Sequence, residues 1–433
     1  MRNADLTDAL EEARETYARR RPRSQTHHLE AAEVMPGGNT RSVIFHGPFP
    51  FRVESGEGCR ITDSDGHSYV SMIGEYSAGL FGHSHPAIRA AVLRALDVGV
   101  NLTGHNALEG RFARLVCDRF PAVEQVRFCN SGTEANLMAL GLACIATERR
   151  TILAFEGGYH GGLFSFASGL ASLNVPHRVV LARYNDLAGA RALIAAHAGD
   201  LAAIILEPML GGGGCIPATA AFLNGLQAAA AESGALFILD EVMTSRLSPG
   251  GLHGALGLKP DLVTLGKYIG GGMSFGAFGG RAALMARFDP RRGDAIGHAG
   301  TFNNNTLTMS AGIAAMSEIY TPEIAIAHNA AGDALRDALN ARAAAHGVPM
   351  VVTGRGSMMS FHFTAAAPRD ATEAAAGDQA MKELLFFDLL ERGWYIARRG
   401  MVALSLMVGQ AEREGFVEAV DEFLALRGPL MRG

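Results

Sequence analysis

The stretch LFILDEVMTSRLSPGGLHGALGLKPDLVTLGKYIGGG, residues 236–272, contains two short apolar runs that each precede a residue capable of chemistry. Asp240 directly follows the run LFIL, and Lys267 follows the run LVTL after one glycine. Lys267 lies 27 residues beyond Asp240, an interval long enough for one helical crossover between two parallel strands. We therefore expect Asp240 and Lys267 at neighbouring strand ends, on the edge of a parallel sheet where ligands bind.

The same alternation of short apolar runs and helical stretches extends through the middle of the chain. Six runs have the length and composition of buried strands: Val126–Cys129, Ile152–Phe155, Arg178–Leu181, Ala203–Leu206, Leu236–Leu239 and Leu262–Leu265. Amphipathic or alanine-rich segments lie between them: Glu134–Thr147, Leu187–His197 and Ala220–Ser233. This pattern predicts an α/β fold with a mostly parallel sheet that is covered by helices on both faces.

The two ends of the chain lack this alternation and mix helices with short strands. The N-terminal part begins with a charged helix and continues into two short extended pieces, Phe51–Val53 and Cys59–Thr62. The C-terminal part contains an extended stretch at Val351–Phe363 and a helix around Ala380–Glu391. We predict a large central domain and one smaller α+β domain built from both ends, with these segments: 1–65 (small domain), 66–325 (large domain) and 326–433 (small domain).

Composition and charge exclude several classes of protein. The 38 basic and 43 acidic residues give a net charge of −5 and no basic stretch, so no nucleic-acid partner is expected. The chain has no run of 18 apolar residues and no apolar leader, so we expect a cytoplasmic protein without a membrane partner. The five cysteines are scattered without CxxC spacing, which favours reduced thiols and predicts no metal site.

A candidate phosphate-binding turn follows the strand VRFC. The sequence NSGTEA, residues 130–135, places Ser131, Gly132 and Thr133 at the start of the next helix. Backbone N–H groups without intrahelical partners, the positive end of the helix and a hydroxyl donor together suit a phosphate. The same residues are also typical of an ordinary helix N-cap, with Ser131 or Thr133 as the capping residue.

A glycine-flanked tyrosine follows the strand ILAF. In GGYHGG, residues 157–162, the paired glycines would let the Tyr159 ring lie flat against a planar ligand. An ordinary glycine-rich loop is the alternative interpretation of this motif.

Asp240 and Lys267 add an acid and an amine. A carboxylate at the tip of a buried strand needs a cation or a donor, which could be a protonated aromatic nitrogen, a salt bridge or a magnesium ion. A desolvated lysine loses its proton more readily and becomes a nucleophile toward carbonyl groups. A P-loop is excluded because Asp261 lies five residues before Gly266 and Tyr268 occupies the Ser/Thr position.

Each motif alone is weak, but the four together match the needs of one cofactor, pyridoxal 5′-phosphate. Its phosphate requires a helix N-terminus and its ring requires a stacking partner. Its pyridine nitrogen requires a carboxylate that keeps it protonated, and its aldehyde requires a lysine. The ordered set of phosphate turn, aromatic ring, strand-tip acid and strand-tip lysine therefore predicts a pyridoxal-phosphate site.

The strings NSGTEA, GGYHGG, LEPM, ILDEVMTS, LGKYIGGGMSFGAFGGR and HAGTFNNNT resemble the class III (omega) aminotransferases of pyridoxal-phosphate fold type I. The resemblance extends from about residue 30 to the end of the chain. Within that class the sequence is similar to the branch that holds glutamate-1-semialdehyde aminomutase, and to bacterial aminotransferases that act on aromatic β-amino acids such as β-phenylalanine.

The resemblance implies roles for residues around the cofactor ring. Lys267 bonds covalently to the cofactor and moves the proton between the substrate's amine-bearing carbon and cofactor C4′. Asp240 pairs with the pyridinium nitrogen, and Val242 packs against the ring. Tyr159 stacks on the opposite face, and Glu207 of the LEPM motif lies near the phenolic side.

The resemblance also implies how the phosphate is held and how the chains assemble. Ser131, Gly132 and Thr133 bind the phosphate, and Thr301 of the GTF motif reaches the phosphate in the partner subunit. The implied assembly is a homodimer with shared active sites.

A substrate that carries a carboxylate calls for an arginine, whose guanidinium binds carboxylates with two parallel hydrogen bonds. The candidates are Arg41 in GGNTRS and Arg399 in ARRGMVALS, and either could instead be a solvated surface arginine. In the β-amino-acid branch, arginines at the matching positions are expected to bind the substrate carboxylate, which favours this role for Arg41 and Arg399. We choose Arg399 over Arg398 because it directly precedes the glycine, as the family pattern does.

Departures from the aminomutase pattern favour ordinary transamination. The chain has PGGNTRSVIFHGPFP, GGGMSFGAF and GTFNNN where aminomutases have different strings. We therefore predict an enzyme that moves the amino group of an aromatic β-amino acid to a 2-oxo acid, such as 2-oxoglutarate, by a ping-pong mechanism. The alternatives are glutamate-1-semialdehyde aminomutase, an ω-amine transaminase, and a protein that binds the cofactor without turnover.

Overall fold

The protein was analysed as a computed structural model that describes residues 5–167 and 173–431. These residues form two compact units. The first unit contains the chain up to Ser84, Ala331–Pro368 and the chain from Ala374 onward; the second contains His85–Ala330 and Arg369–Glu373. The predicted domain boundaries at residues 65 and 325 stay predictions, because compactness does not test independent folding. None of the described helices is both long enough and apolar enough to cross a bilayer.

The described strands and helices are numbered in chain order. The strands are β1 Val53–Glu57, β2 Arg60–Asp63, β3 Ser68–Ser71, β4 Gln125–Cys129, β5 Thr151–Phe155, β6 Arg178–Ala182, β7 Leu201–Leu206, β8 Met209–Leu210, β9 Ile216–Pro217, β10 Leu236–Asp240, β11 Leu262–Gly266, β12 Gly276–Gly280, β13 Val351–Arg355, β14 Met358–His362, β15 Trp394–Tyr395 and β16 Met401–Ala403. The α-helices are α1 Leu6–Arg20, α2 Pro22–Ala32, α3 Pro86–Val98, α4 Ala107–Arg119, α5 Gly132–Thr147, α6 Leu187–His197, α7 Ala220–Ser233, α8 Gly251–Ala255, α9 Ala282–Met285, α10 Thr306–Ala314, α11 Pro322–His346, α12 Ala371–Ala375, α13 Gln379–Glu391 and α14 Gln410–Arg427.

The second unit is built around a seven-stranded sheet with the order β4-β12-β11-β10-β7-β5-β6. All six strands predicted from the sequence are present, as β4, β5, β6, β7, β10 and β11. Four neighbouring pairs in this sheet are parallel: β11 with β10, β10 with β7, β7 with β5, and β5 with β6. The prediction of an α/β fold with a mostly parallel sheet is confirmed.

Side chains cap the N-termini of two helices of this unit, α5 and α7. Ser131 accepts from the Glu134 N–H at the start of α5, and Thr219 accepts from the Phe222 N–H at the start of α7. Gly234, with φ of 71°, ends α7 in the left-handed conformation that glycine adopts without strain. α5 packs on β11 and β12, and α7 packs on β7 and β10. The two caps therefore fix the residues at which α5 and α7 begin.

The sequence analysis missed one strand of this sheet, β12. Its sequence, GAFGG, has three glycines and no β-branched residue, so the usual composition of a strand is absent. β12 lies between β4 and β11 and is antiparallel to both. Glycine is required there by close packing, because a Cβ on Gly280 would lie 2.1 Å from the Asp261 carbonyl oxygen.

The first unit combines both ends of the chain, as the sequence predicted. Its four-stranded sheet has the order β1-β2-β3-β15, and the parallel pair of β3 and β15 joins the N-terminal and C-terminal parts. A second sheet has the order β13-β14-β16. The predicted extended piece Phe51–Val53 was wrong, because β1 begins only at Val53. Phe51 is buried, and its ring packs 4.9 Å from that of Tyr395, which accounts for its apolar character.

A histidine lies inside the apolar core of this unit. The ring of His46 packs edge-on to Phe386, with the ring centres 4.9 Å apart, and to Tyr17 at 5.2 Å. Burial lowers the pKa of His46 to about 4, assisted by the charges of Arg398 and Arg21 and opposed by a hydrogen bond to the Gly47 carbonyl. Core packing therefore keeps this imidazole neutral at physiological pH.

We expect His46 to make the protein less stable in mild acid. The unfolded chain binds a proton on this imidazole below its ordinary pKa of about 6.5, whereas the folded chain does so only near pH 4. The free energy of unfolding should therefore fall as the pH drops through this range, by up to roughly 3 kcal/mol from this group. Urea unfolding at pH 7 and pH 5 should show a smaller drop for His46→Phe than for the wild type. Equal drops would contradict this assignment.

Candidate active site

Three of the predicted residues lie on neighbouring strands at the same edge of the large sheet. Asp240 ends β10, Glu207 directly follows β7, and Lys267 directly follows β11. In the parallel pairing Leu239 lies opposite Leu206, so Glu207 and Asp240 leave the sheet side by side. Asp240 lies opposite Thr264 of β11, three residues before Lys267. The juxtaposition of Asp240 and Lys267 predicted from their spacing is confirmed at the level of adjacent strands.

Asp240 is buried and accepts three hydrogen bonds, two at Oδ2 and one at Oδ1, which leaves Oδ1 able to accept another. Asn136 Nδ2 and His160 Nδ1 each donate to its Oδ2 over 2.8 Å, and the Val242 N–H donates to Oδ1 over 3.0 Å. Thr264 Oγ1 in turn donates to Asn136 Oδ1 over 2.6 Å, which orients the amide. These contacts hold the Asp240 carboxylate in one orientation at the tip of β10.

The sequence analysis assigned no role to His160 or Asn136. His160 was visible in the GGYHGG motif, and Asn136 follows NSGTEA by one residue, but nothing local indicates that both reach Asp240. His160 is 1% exposed, and its Nε2 is buried without a hydrogen-bond partner among the described residues. Because its Nδ1 donates to a carboxylate, the histidine and Asp240 form a polarised pair.

Glu241, next to Asp240 in sequence, faces a different set of partners. The His253 Nδ1 and backbone N–H donate to its Oε1, over 2.5 and 2.7 Å, and the Leu252 N–H donates to its Oε2 over 2.7 Å. These bonds hold the start of α8 against the loop after β10. The magnesium interpretation of Asp240-Glu241 is therefore not supported, because the two carboxylates do not converge and both already bind N–H groups.

Glu207 joins two glycine-rich loops. It accepts hydrogen bonds from the Tyr159 N–H and the Gly211 N–H, each over 3.0 Å. Tyr184 Oη donates to its backbone carbonyl over 2.8 Å. Burial and then the neighbouring Asp240 charge raise the pKa of Glu207 to about 7, against the opposing charge of His160. This carboxyl group therefore titrates near neutral pH while it positions the loop of Tyr159.

The N-terminus of α5 is packed tightly against the tip of β10. A Cβ on Gly132 would lie 2.9 Å from both methyl groups of Val242, so only glycine fits at this position. Thr133 Oγ1 accepts from the Gly162 N–H over 3.3 Å, which links this turn to the loop of Tyr159. The three predicted phosphate residues and Val242 are thus brought together. The Ser131 hydroxyl is the N-cap of α5, which confirms that interpretation of the motif, and the phosphate-binding role stays a prediction.

Tyr159 has the side-chain exposure, and Lys267 the strained backbone conformation, that are expected of residues that contact a ligand. The Tyr159 side chain is 46% exposed, although its loop is held from both sides by hydrogen bonds. Lys267 has φ of 55°, a left-handed conformation that costs about 1–3 kcal/mol for a residue with a side chain. Such strain is concentrated at functional sites.

Thr301 lies on the partly exposed segment between Gly300 and Asn305. The neighbouring Asn303 accepts a hydrogen bond at its Oδ1 from Asn130 Nδ2 over 3.0 Å, which ties this segment to the phosphate turn. The contact predicted for Thr301 involves a second subunit, so it stays a prediction.

The two candidate substrate arginines lie in the first unit, around one tyrosine. The Arg399 guanidinium lies over the Tyr76 ring, 4.9 Å from its centre, and Arg399 Nη2 is 3.4 Å from the Met401 sulfur. Burial raises the pKa of Tyr76, and the charges of Arg399 and then Arg41 oppose that rise. Tyr76 Oη donates to the carbonyl of Val43, two residues beyond Arg41.

The ion pairs of the arginines distinguish them. Arg41 Nη1 contacts Glu75 Oε2 over 2.8 Å, and Arg398 contacts Glu383 over 3.4 Å. Arg399 has no ion pair with a carboxylate in the part of the chain that the structure describes, and its Nε is buried without a hydrogen bond there. The choice of Arg399 over Arg398 is consistent with this difference, since only Arg399 is available to an added carboxylate.

The functional groups at one edge of the sheet in the second unit have the chemistry needed to bind pyridoxal phosphate. A capped helix N-terminus offers N–H groups to a phosphate, and a buried carboxylate at the adjacent strand tip offers a partner to a protonated ring nitrogen. The half-exposed Tyr159 offers a ring face, and Lys267 follows the next strand. One edge of the sheet therefore provides all four functions that this cofactor requires.

Comparisons with known proteins agree with this geometry. The family described as class-III aminotransferase matches residues 45–411. The β-phenylalanine transaminase of Variovorax paradoxus is 49% identical over 431 residues, covering 100% of this chain and 99% of that protein. A crystal structure of a β-phenylalanine aminotransferase from the same organism superposes with a TM-score of 0.97 at 50% identity, covering 98% of this chain and 99% of that one. A transaminase solved with pyridoxal phosphate bound has a TM-score of 0.86 at 30% identity, with coverages of 95% and 99%.

Proposed function

This chain belongs to the class III aminotransferases, and from that premise we propose that it moves the amino group of an aromatic β-amino acid to a 2-oxo acid such as 2-oxoglutarate. Its cofactor is pyridoxal 5′-phosphate. The observation that carries the substrate proposal is Arg399, because its guanidinium lies over the Tyr76 ring and has no carboxylate partner among the described residues, so it can bind a substrate carboxylate. Arg41 is the second candidate cation. The full-length similarity to a β-phenylalanine transaminase supports the same substrate class.

The residues at the sheet edge would hold the cofactor as follows. The N–H groups of Gly132 and Thr133 and the Ser131 hydroxyl would bind the phosphate, and Asp240 would keep a proton on the ring nitrogen. Tyr159 and Val242 would supply apolar contacts to the ring. Glu207 positions Tyr159 through the backbone and lies near the phenolic side of the ring. Thr301 serves the phosphate of a second subunit.

Lys267 carries the acid–base chemistry in this proposal. When bound, pyridoxal phosphate supplies an electron sink that makes the hydrogen on the amine-bearing carbon acidic. With the cofactor bound, Lys267 would hold it covalently, and the released Lys267 Nζ would accept the proton from the amine-bearing carbon of the substrate and donate it at cofactor C4′. The amino group stays on the enzyme until an oxo acid arrives, so ping-pong kinetics are expected.

We also propose a homodimer in the cytoplasm. Five side chains support a surface covered by a second copy, because they are large, apolar and exposed along α3, the turn after it and the segment of Thr301: Leu93, Leu96, Val98, Leu102 and Phe302. The five cysteines are free thiols, which suits a reducing compartment. Sedimentation equilibrium should give twice the chain mass of 45.6 kDa, and a monomer at micromolar concentration would contradict the dimer.

The substrate proposal is tested by mixing the holoenzyme with racemic β-phenylalanine and 2-oxoglutarate. Glutamate and the β-keto acid, or its decarboxylated ketone, should form together, and no glutamate despite bound cofactor would end the proposal. Conversion of glutamate 1-semialdehyde to 5-aminolevulinate without an acceptor would instead indicate the aminomutase. Turnover of simple amines at rates above those for β-amino acids would indicate an ω-amine transaminase.

Removing the Arg41 guanidinium should raise KM for substrates with a carboxylate more than KM for simple amines. For Arg41→Ala we expect KM for β-phenylalanine to rise about 10- to 100-fold, since hydrogen bonds to charged groups contribute about 1.5–3 kcal/mol. KM for 1-phenylethylamine, which has no carboxylate, should change little. Arg52→Ala is a matched control, because its side chain is similarly exposed and pairs with Glu54. Equal losses for both substrates would contradict a role in carboxylate binding.

A further inference from the structure

A short segment from the C-terminal part of the chain packs against the loop of Tyr159. Residues Arg369–Glu373 belong to the second unit, although the residues on both sides of them belong to the first. The side chain of Ala371 meets Gly157, two residues before Tyr159, because a Cβ on Gly157 would lie 2.2 Å from the Ala371 Cβ. A Cβ on Gly213 would lie 3.3 Å from the same methyl group. The Ala371 methyl group therefore lies between two glycine-rich loops.

One of these loops contains Tyr159 and the other contacts it. Gly157 has φ of 80°, a conformation that glycine adopts without strain, and it begins the turn that carries the tyrosine. A Cβ on Gly212 would lie 3.4 Å from the Tyr159 Cβ, so the second loop lies directly beside the tyrosine. The Glu207 carboxylate accepts from the Tyr159 N–H and the Gly211 N–H, and so it joins the same two loops. A change at the methyl group between the loops would therefore reach Tyr159 through both of them.

An ion pair and hydrogen bonds anchor the segment. Asp370 is 3% exposed, and its Oδ2 accepts from Nε of Arg183, the residue after β6. Its Oδ1 accepts from the Glu373 N–H over 2.8 Å at the start of α12. Asn185 Nδ2 donates to the Arg369 carbonyl over 2.8 Å. These bonds fix the backbone on both sides of the methyl group that meets the two loops.

We propose that Ala371 is a positioning residue for the Tyr159 ring, and that Asp370 anchors it. The inference rests on the proposed function, because it assumes that the Tyr159 ring contacts the cofactor. Stacked rings need a defined distance and offset. The Tyr159 side chain is 46% exposed, so contacts with the side chain itself define its position only in part. The loop backbone has to define the rest, and the Ala371 methyl group limits how far that backbone can move.

The test is Ala371→Gly in the holoenzyme, which removes the methyl group between the two loops. The visible circular-dichroism band of the bound cofactor should lose amplitude, because that amplitude depends on how the protein orients the ring. The cofactor should dissociate about two- to tenfold faster on dilution, which is the size of one aromatic stacking contribution. kcat should fall by at most about 10²-fold, since small displacements of a contacting group have effects up to that size.

Two controls make the result specific. Ala375→Gly makes the same change at an exposed position of the same helix, α12, and should leave the band and the dissociation rate unchanged. In a Tyr159→Ala background, Ala371→Gly should have no further effect, because the ring that it positions is gone.

A second variant tests the anchor, and it replaces Ala371→Gly if that protein does not fold. Asp370→Asn removes the charge that pairs with Arg183, while an amide oxygen can still accept a hydrogen bond at the start of α12. It should lower the amplitude of the band and speed dissociation in the same direction. Asp200→Asn is the matched control, because it breaks the pair with Arg178 at the other end of β6, and it should change neither readout.

The outcomes separate this inference from the proposed function. If Tyr159→Ala changes neither the band nor the dissociation rate, the assignment of Tyr159 to the cofactor and the role of Ala371 fail together. If Tyr159→Ala changes both but Ala371→Gly changes neither, only the role of Ala371 is overturned. An equal effect of Ala371→Gly with and without the Tyr159 ring would also overturn it, because the effect would then be a general loss of stability.

Discussion

Replacing Lys267 with alanine is expected to lower kcat by about 10²–10⁴-fold from the lost proton transfer alone, while the protein stays folded. The amine at the end of β11 is the group that holds the cofactor and moves the proton, and alanine provides neither function. The variant should also lose the absorbance band of the covalently bound cofactor. Because alanine is less bulky and Lys267 adopts φ of 55°, circular dichroism should be recorded as the check on folding.

The small number of lysines in the chain makes it easy to identify the one that binds the cofactor. The chain contains three lysines, Lys259, Lys267 and Lys382. Borohydride reduction of the holoenzyme followed by peptide mass analysis should place the cofactor on Lys267. Lys259→Ala is the matched control, since Lys259 is exposed on the loop before β11 and should not affect turnover. A reduced adduct on another lysine, or wild-type turnover by Lys267→Ala, would show that the assignment is wrong.

Asp240→Asn should lower both kcat and the free energy of unfolding. An amide cannot hold the proton on a ring nitrogen, and losing one such electrostatic contact lowers kcat by about 10²–10³-fold. The three donors that meet Asp240, from Asn136, His160 and Val242, suit a carboxylate with two acceptor oxygens. An asparagine directs its own N–H₂ at one or more of them, which should lower the free energy of unfolding by about 1–3 kcal/mol.

Steady-state turnover and urea unfolding would measure these two effects, and an absorbance titration would measure the affinity for the cofactor. Asp261→Asn serves as the control, because Asp261 lies at the opposite end of β11, accepts from the Phe237 N–H and pairs with Arg281. It should lower stability without changing cofactor affinity. If Asp240→Asn binds the cofactor as tightly as the wild type and turns over normally, Asp240 does not serve the ring nitrogen.

Much of the large sheet was predictable because its signals are local. Buried parallel strands are short apolar runs, and all six of the predicted runs are strands. The helices α6 and α7 have the predicted bounds, because caps and apolar periodicity lie within each segment. β12 escaped prediction, since its glycines are required by neighbouring strands and not by any preference of its own sequence.

The sequence predicted individual residues of the candidate site but not the hydrogen bonds between them. Spacing and strand ends indicated Asp240 and Lys267, and motifs indicated the phosphate turn and Tyr159. Sequence reasoning did not find His160 and Asn136 as partners of Asp240, because these contacts span 80 and 104 residues. The roles given to these residues toward cofactor and substrate stay predictions until the variants are measured.

The amino-acid sequence by itself determined the fold class, the pyridoxal-phosphate motifs and their order along the chain, because each depends on residues within one element or at one strand end. The tertiary structure decided which polar groups meet: the buried Asp240 with His160, the buried Glu207 with two glycine loops, and the exposed Arg41 with Glu75. A buried or paired charge is stabilised only by the groups that folding brings to it. Those groups lie far away in sequence, so only the folded chain identifies them.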